Sequence, residues 1–166
     1  MTEMTFSSRR GFLILMGSGL MGSGMLVTGC TSVGRQASVA GVQDRTAASL
    51  PLVNKVRSDR GLQPLSSNAA ARNAAAEQAM RMAKAGQMKH LIGMGDSFKT
   101  RMQRSDVPLP AAENIASGQS TVEEAVQAWI VSRRHLNNMI GSYSGLGVAV
   151  AQSSASRTYW AMILSA

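Results

Sequence analysis

Three side chains that are far apart in this sequence have the chemistry of a catalytic or metal site. Histidine occurs only twice in the 166 residues, as His90 and His135, and Glu113 is one of nine acidic residues. Two imidazoles and a carboxylate that share a cleft can hold zinc or another divalent metal, or act as an acid/base pair. Spacing along the chain does not show that they meet. In the alternative interpretation, His90 donates to a loop carbonyl, Glu113 binds backbone amides, and His135 packs or lies in solvent.

Two helices are predicted ahead of His90. Apolar residues recur at helical spacing from about residue 47, and Gly61 ends this first helix as a left-handed cap. The alanine-rich segment 69–85 is predicted to be a second helix, and Gly86 ends it. His90 therefore lies in the loop that follows the second helix.

A short helix and three strands are predicted around Glu113. Residues 96–104 have the pattern of a helix with Asp96 as its N-cap, and a strand is expected at Ile115. Segments 146–151 and 158–164 are apolar, branched and aromatic, and glycine and serine bound them, which is typical of a β-hairpin. Helices before and between these strands indicate an α+β layered fold.

A capped helix is predicted to carry His135. The sequence Ser120-Thr121-Val122-Glu123 is a capping box, so we expect a continuous helix from there to Gly141, with Trp129 on its apolar side. Ser132 and His135 are three residues apart and would share one face of this helix. Both side chains could then point into the same cleft.

The first thirty residues predict export and lipid attachment. Arg9-Arg10 precedes an uncharged apolar run, and this pattern resembles a twin-arginine export signal. The sequence Val27-Thr28-Gly29-Cys30 resembles a bacterial lipobox, in which the cysteine is acylated; the alternative is a buried free cysteine in an uncleaved membrane helix. We therefore predict a signal peptide at 1–29, a lipidated flexible tether at 30–46 and a folded domain at 47–166.

Composition narrows the classes of partner. The formal net charge is +8, which suits anionic lipid head groups or acidic polymers of the cell envelope. Aromatic residues make up 4% of the chain and no Arg/Lys run exceeds two residues, so nucleic-acid binding is not expected. Arg101, Arg104 and Arg133-Arg134 are interpreted as solvated helix faces. The composition predicts no oligomeric state.

Several short motifs, in order and at fitting distances, resemble the CAP superfamily. This superfamily, whose domain is also called the SCP domain, includes cysteine-rich secretory proteins, venom antigen 5 and plant pathogenesis-related proteins. The motifs are Arg57-Ser58-Asp59-Arg60-Gly61-Leu62-Gln63-Pro64-Leu65, Met88-Lys89-His90, Glu113-Asn114-Ile115-Ala116, Trp129 to His135, Gly145-Leu146-Gly147-Val148 and Tyr159-Trp160.

The resemblance implies a three-layer α-β-α sandwich with a central antiparallel sheet and a cleft lined by two histidines and two acids. His90 matches the first family histidine, and Glu113 matches the acid of the Glu-Asn motif. Ser132 stands where many animal members have the second acid, so this chain lacks that carboxylate. His135 matches a histidine of bacterial members, while Thr158 stands at the position of the second animal histidine.

Two functions follow as hypotheses. The first is an envelope-anchored, non-enzymatic module that binds a lipid, peptide or cell-wall component in a cleft containing His90, Glu113, Ser132 and His135. The second is a zinc-assisted hydrolase that uses the same cleft. In both, Cys30 anchors the chain on the periplasmic side of a bacterial membrane. Since Thr31 and not aspartate follows Cys30, we expect the outer membrane.

Overall fold

The structure, a computed structural model, describes residues 41–166, which belong to one compact unit. Along these residues the elements are β1 (Val42–Asp44), α1 (Thr46–Ser58), β2 (Ser66–Ser67), α2 (Ala69–Ala85), α3 (Phe98–Arg104), β3 (Ala111–Ser117), α4 (Val122–Val131), α5 (Arg133–Met139), β4 (Gly145–Gln152) and β5 (Thr158–Ser165). The predicted signal peptide and Cys30 lie outside the described residues. Within 41–166, no helix is long and apolar enough to cross a membrane.

The strands form one sheet in the order β1-β4-β5-β3, and β2 makes a short parallel pair with β4. The predicted hairpin is confirmed, because β4 and β5 pair antiparallel with Val148 opposite Met162. The strand expected at Ile115 is β3, and it pairs antiparallel with β5. Among the described strands, β3 therefore forms one edge of the sheet.

Helices cover both faces of the sheet. Because side chains alternate along a strand, neighbouring residues of β4 and β5 contribute to different cores. One core contains Leu146, Val148, Trp160 and Met162 of the sheet with Val53 of α1, Trp129 of α4 and Met139 of α5. The other contains Ala149, Ala161 and Ile163 with Ala75, Ala79 and Met82 of α2 and Met102 of α3. The predicted α-β-α sandwich is confirmed, and the 41–166 segment has a core on each face with which to fold as a unit.

Helix α2 packs unusually close to β4. A Cβ atom built on Gly147 would lie 2.2 Å from the carbonyl carbon of Ala71 and 2.2 Å from the amide nitrogen of Arg72. The buried face of α2 consists largely of alanine, which allows this close approach. Helix α2 can therefore pack this close to β4 only because residue 147 has no side chain.

The helix ends predicted at Gly61 and Gly86 are confirmed, and α2 also has a capped N-terminus. Asn68 caps α2, since its Oδ1 accepts a hydrogen bond from the Ala71 amide at 2.9 Å. Gly86 ends α2 with φ of 64°. Gly61 follows α1 with φ of 68°, a conformation that glycine adopts with little strain.

The domain begins earlier than the predicted boundary at residue 47. Val42–Asp44 forms β1, which pairs with β4 so that Val42 lies opposite Ala151. Helix α1 then begins at Thr46, whose buried side chain hydrogen-bonds to Val148. Residues 42–46 therefore do not belong to a flexible tether. A three-residue strand is too short to show a period in the sequence.

Two predicted N-caps are wrong by one residue. Ser97, rather than Asp96, caps α3, because the Asp96 carboxylate is used in buried ion pairs described below. At α4 the capping residue is Thr121, which accepts from the Glu124 amide, and Glu124 accepts in turn from the Ser120 amide. The capping box is thus formed by Thr121 and Glu124, and not by Ser120 and Glu123.

The helix predicted to run continuously to Gly141 is broken at Ser132. Helix α4 ends at Val131, Ser132 has an extended backbone with φ of −91° and ψ of 109°, and α5 begins at Arg133. The break lets Trp129 and Met139, on either side of it, reach the same core. The shared helix face predicted for Ser132 and His135 is therefore wrong.

Candidate functional site

Strand β3 positions the site through two consecutive residues. Glu113 and Asn114 are both buried, and as neighbours on a strand they point to opposite faces of the sheet. Glu113 contacts α3 and the loop after α2, whereas Asn114 contacts α5. The edge strand thus joins the two helical layers at one place.

Glu113 binds His90 and Arg101 at the same time. Its Oε1 lies 2.9 Å from Nδ1 of His90 and accepts from Nη2 of Arg101 at 3.1 Å, while Oε2 accepts from Nη1 of Arg101 at 3.0 Å. The Glu113 and Arg101 side chains are 3% and 4% exposed. Because a carboxylate accepts, the contact places a His90 proton on Nδ1, and Nε2 is the ring nitrogen that Glu113 does not contact.

A second set of buried groups fixes the loop that carries His90. Gln78, fully buried on α2, donates to the carbonyls of Lys89 and His90 at 2.9 and 3.2 Å. Arg101 also donates to the His90 carbonyl, at 3.1 Å. Asp96 accepts from the Ile92 amide at 2.7 Å. Hydrogen bonds to these side chains therefore fix the backbone of the loop that carries His90.

Asp96 links this loop to two arginines. Its carboxylate pairs with Arg81, and its Oδ1 lies 3.5 Å from Nε of Arg101. Burial raises the pKa of Asp96, but the Arg81 and Ile92 hydrogen bonds and the charges of Arg81 and Arg101 outweigh burial and hold the pKa below its usual value. Asp96 is therefore a counterion for this arginine pair at neutral pH.

His135 is held on the other layer by amide side chains. Asn114 donates to the His135 carbonyl at 3.0 Å, and Asn138 donates to Oδ1 of Asn114 at 2.8 Å. Burial lowers the pKa of His135, and the charges of His90 and Arg134 lower it further. Both effects disfavour the imidazolium form of His135.

The structure thus brings three predicted residues to one edge of the sheet. His90 and Glu113 are in contact, and the backbone of His135, on the other helical layer, is bound by Asn114, the neighbour of Glu113. Ser132 lies between α4 and α5, and its side chain makes no capping hydrogen bond. The role of these four residues as a ligand cleft stays a prediction.

The donor set constrains what the site can do. Both Glu113 oxygens accept hydrogen bonds and the side chain is 3% exposed, so this carboxylate orients His90 and offers little access to a water molecule. Among residues 41–166, no group of three His, Cys, Asp or Glu side chains is arranged to hold a metal ion. The side chains of this site that could bind a metal are therefore the imidazoles of His90 and His135.

Arg101 is the site residue that sequence reasoning missed. The sequence predicts a solvated face for it, but it is buried against Glu113. A signal was present in the sequence, because Arg101 shares the helix face of Phe98 and precedes the buried Met102. A cation on the apolar side of a short helix predicts a buried carboxylate nearby. Asn138, three residues after His135, was missed as well.

Fold and site together define an SCP-type domain: a layered α-β-α sandwich whose edge strand presents a Glu-Asn pair to two histidine-bearing layers. Residues 50–164 match the CAP family, described as the cysteine-rich secretory protein family. The chain therefore belongs to the CAP family. No curated protein matches the chain.

Solved structures show the same fold. An outer surface protein from Borrelia burgdorferi has a TM-score of 0.64 and 17% identity, with 72% of this chain and 90% of that one covered. An extracellular protein containing a SCP domain from Bacillus anthracis has a TM-score of 0.64 and 24% identity, and the match covers 73% of this chain and 40% of that protein. A venom allergen-like protein from Schistosoma mansoni has a TM-score of 0.54 and 14% identity, with 72% of this chain and 86% of that one covered.

Proposed function

We propose that this protein is a ligand-binding CAP module of the bacterial envelope. Its ligand, a lipid, a peptide or a cell-wall component, binds at the edge of β3 between His90 and His135. Cys30, outside the described residues, carries the lipid anchor. The location is supported by the export and lipobox motifs, and the fold is shared with a bacterial outer surface protein and an extracellular SCP protein.

The hydrogen bonds that already occupy the Glu113 carboxylate are the observation that supports this proposal. A hydrolase that activated water with Glu113 would need a carboxylate lone pair that a water molecule can reach, and the Glu113 side chain is only 3% exposed. Here Arg101 binds both oxygens and His90 binds one of them. The carboxylate charge is therefore neutralised within the protein, and the imidazoles of His90 and His135 are the groups left to form hydrogen bonds with a ligand.

The lowered pKa of His135 suits hydrogen bonding to a polar ligand. Its pKa lies below the ordinary value of histidine, because burial and the charges of His90 and Arg134 disfavour the imidazolium. A neutral imidazole offers one donor and one acceptor, which suits amide, hydroxyl and phosphate groups. Such groups occur in peptides, glycans and lipid head groups.

Recovery of the ligand from the native host tests the proposal. Wild-type protein, His135→Ala and a control Asn137→Ala, an exposed residue on the same helix, are purified from envelopes, and extracted small molecules are compared by mass spectrometry. We expect a component that accompanies wild type and Asn137→Ala and is depleted from His135→Ala. Equal recovery in all three, or in none, contradicts the proposal.

A metal-assisted hydrolase is the second candidate, and the orientation of His90 favours it. A carboxylate bound to one ring nitrogen is the usual outer-sphere support for a histidine that ligates a metal through the other nitrogen. His90 and His135 would hold the metal, and a bound metal would polarise a substrate carbonyl or lower the pKa of water. Metal analysis of wild type, His90→Ala, His135→Ala and Asn137→Ala tests this candidate. Metal that is bound to wild type and Asn137→Ala but absent from both histidine variants would support this candidate.

A further inference from the structure

The loop between α2 and α3 exposes apolar side chains without a partner in the described part of the chain. Within residues 86–95, which we name the apolar loop, Met88 is 50% exposed, Leu91 is 52% exposed and Met94 is 105% exposed. Three exposed large apolar side chains within seven residues form a patch, in contrast to the scattered single residues of an ordinary surface.

The exposure of these side chains is enforced by the loop backbone. The carbonyls of Lys89 and His90 accept from Gln78, the Ile92 carbonyl accepts from Arg81, and the Ile92 amide donates to Asp96. Ile92 itself packs against the core beneath α2. The loop therefore cannot turn its outer apolar residues inward without breaking these hydrogen bonds.

The charges around the loop are positive. Lys84, Lys89 and Lys99 are exposed. Asp96 is the only acid between Lys84 and Lys99, and its side chain is 7% exposed and paired with two arginines. Apolar side chains flanked by lysines are the combination that binds the interface of an anionic bilayer, where apolar groups enter the head-group region and ammonium groups meet phosphate.

The loop is also at the end of the domain where the chain enters. Gly41, the first described residue, and Lys84, near the end of α2, line the same surface cavity of about 240 Å³. Cys30 precedes Gly41 by eleven residues, which span at most about 40 Å when fully extended. A chain anchored at Cys30 would thus keep the apolar loop within reach of the bilayer.

We propose that the apolar loop is a membrane-docking site for an anionic bilayer, in addition to the anchor at Cys30. Met88, Leu91 and Met94 enter the head-group region, and Lys84, Lys89 and Lys99 contact lipid phosphates. Docking places His90, which belongs to the same loop, at the membrane surface. This inference goes beyond the proposed ligand binding and needs no ligand in the cleft.

Vesicle binding tests the proposal without the lipid anchor. Residues 31–166 are mixed with vesicles of phosphatidylcholine alone, or of phosphatidylcholine with phosphatidylglycerol, and the bound fraction is measured by sedimentation. We expect binding to the anionic vesicles that weakens as salt is raised. Leu91→Ser with Met94→Ser should lower the partition coefficient about tenfold. Replacing the three lysines with Gln should lower it at least about tenfold.

Val131→Ser is the matched control. Val131 is 73% exposed at the end of α4, in the helical layer on the other face of the sheet from α2, and its replacement should leave binding unchanged. Far-UV circular dichroism and thermal unfolding check that each variant is folded. The proposal is overturned if folded wild type ignores anionic vesicles, if Val131→Ser weakens binding as much as the loop variant, or if the loop variant binds like wild type.

Discussion

Replacement of Arg101 with Met is the most direct test of the network at the candidate site. The change removes two hydrogen bonds to Glu113, one hydrogen bond to the His90 carbonyl and the ion pair with Asp96. It leaves the Glu113 carboxylate buried, with His90 as its remaining side-chain partner. Removing one member of a buried ion pair costs about 3–5 kcal/mol, because the other charge stays desolvated. We expect Arg101→Met to lower the free energy of unfolding by that amount.

Arg104→Met provides the matched control on the same helix. Arg104 also pairs with a glutamate, Glu77, but its side chain is 61% exposed and that of Glu77 is 37% exposed. An exposed pair of this kind contributes about 0–1 kcal/mol. The difference between the two variants therefore measures the contribution of the buried network around Arg101.

Urea unfolding of residues 31–166 at neutral pH measures both changes. The fluorescence of Trp129 and Trp160, both buried in one core, reports the transition. If Arg101→Met unfolds within about 1 kcal/mol of Arg104→Met, the buried pair is not the support that we infer. A domain of this size is stable by about 5–15 kcal/mol, so Arg101→Met could leave too little folded protein to measure. Arg101→Lys is therefore measured as well, because it keeps the positive charge and loses the bidentate geometry of the guanidinium.

Three further outcomes are expected. Gly147→Ala should cost about 3 kcal/mol or more by urea unfolding, because its Cβ would overlap the α2 backbone, whereas Gly61→Ala meets no atom within 4 Å and should cost about 1–2 kcal/mol through its positive φ. Burial, and then the charges of His90 and Arg134, lower the pKa of His135 in the folded protein. The unfolded chain therefore binds the proton more readily, so the free energy of unfolding should fall as pH drops below about 6.5, and His135→Asn should reduce that fall. Equal pH dependence in wild type and variant would contradict this reasoning. Cys30→Ala should release the protein from host membranes and abolish lipid labelling; unchanged fractionation would refute acylation at this cysteine.

The sequence predicted elements with strong local signals. Asn68, the alanine-rich run and Gly86 define α2 to within a residue, since a cap, a propensity and a stop agree. The β4–β5 hairpin was found because both strands are buried on two faces and are continuously apolar. Caps that compete with tertiary contacts were harder to predict, as Asp96 shows.

The candidate site was predicted only in part, because its main contacts are long-range. His90 and Glu113 were placed together through the family resemblance, and their 2.9 Å contact is present. The partner that decides the state of Glu113 is Arg101, and its burial depends on how α3 packs against β3. The break at Ser132 likewise depends on the core that α4 and α5 share, and periodicity along one chain contains no such information.

The alternation of Glu113 and Asn114 makes β3 a mechanical link between the two histidines. His90 depends on the first residue and the backbone at His135 on the second, so a shift of the strand along its axis would move both attachments together. Inserting one residue before Glu113 would exchange the faces of the two side chains and set a carboxylate against the α5 backbone. A displacement of β3 caused by one helical layer would therefore act at once on the contacts of the other.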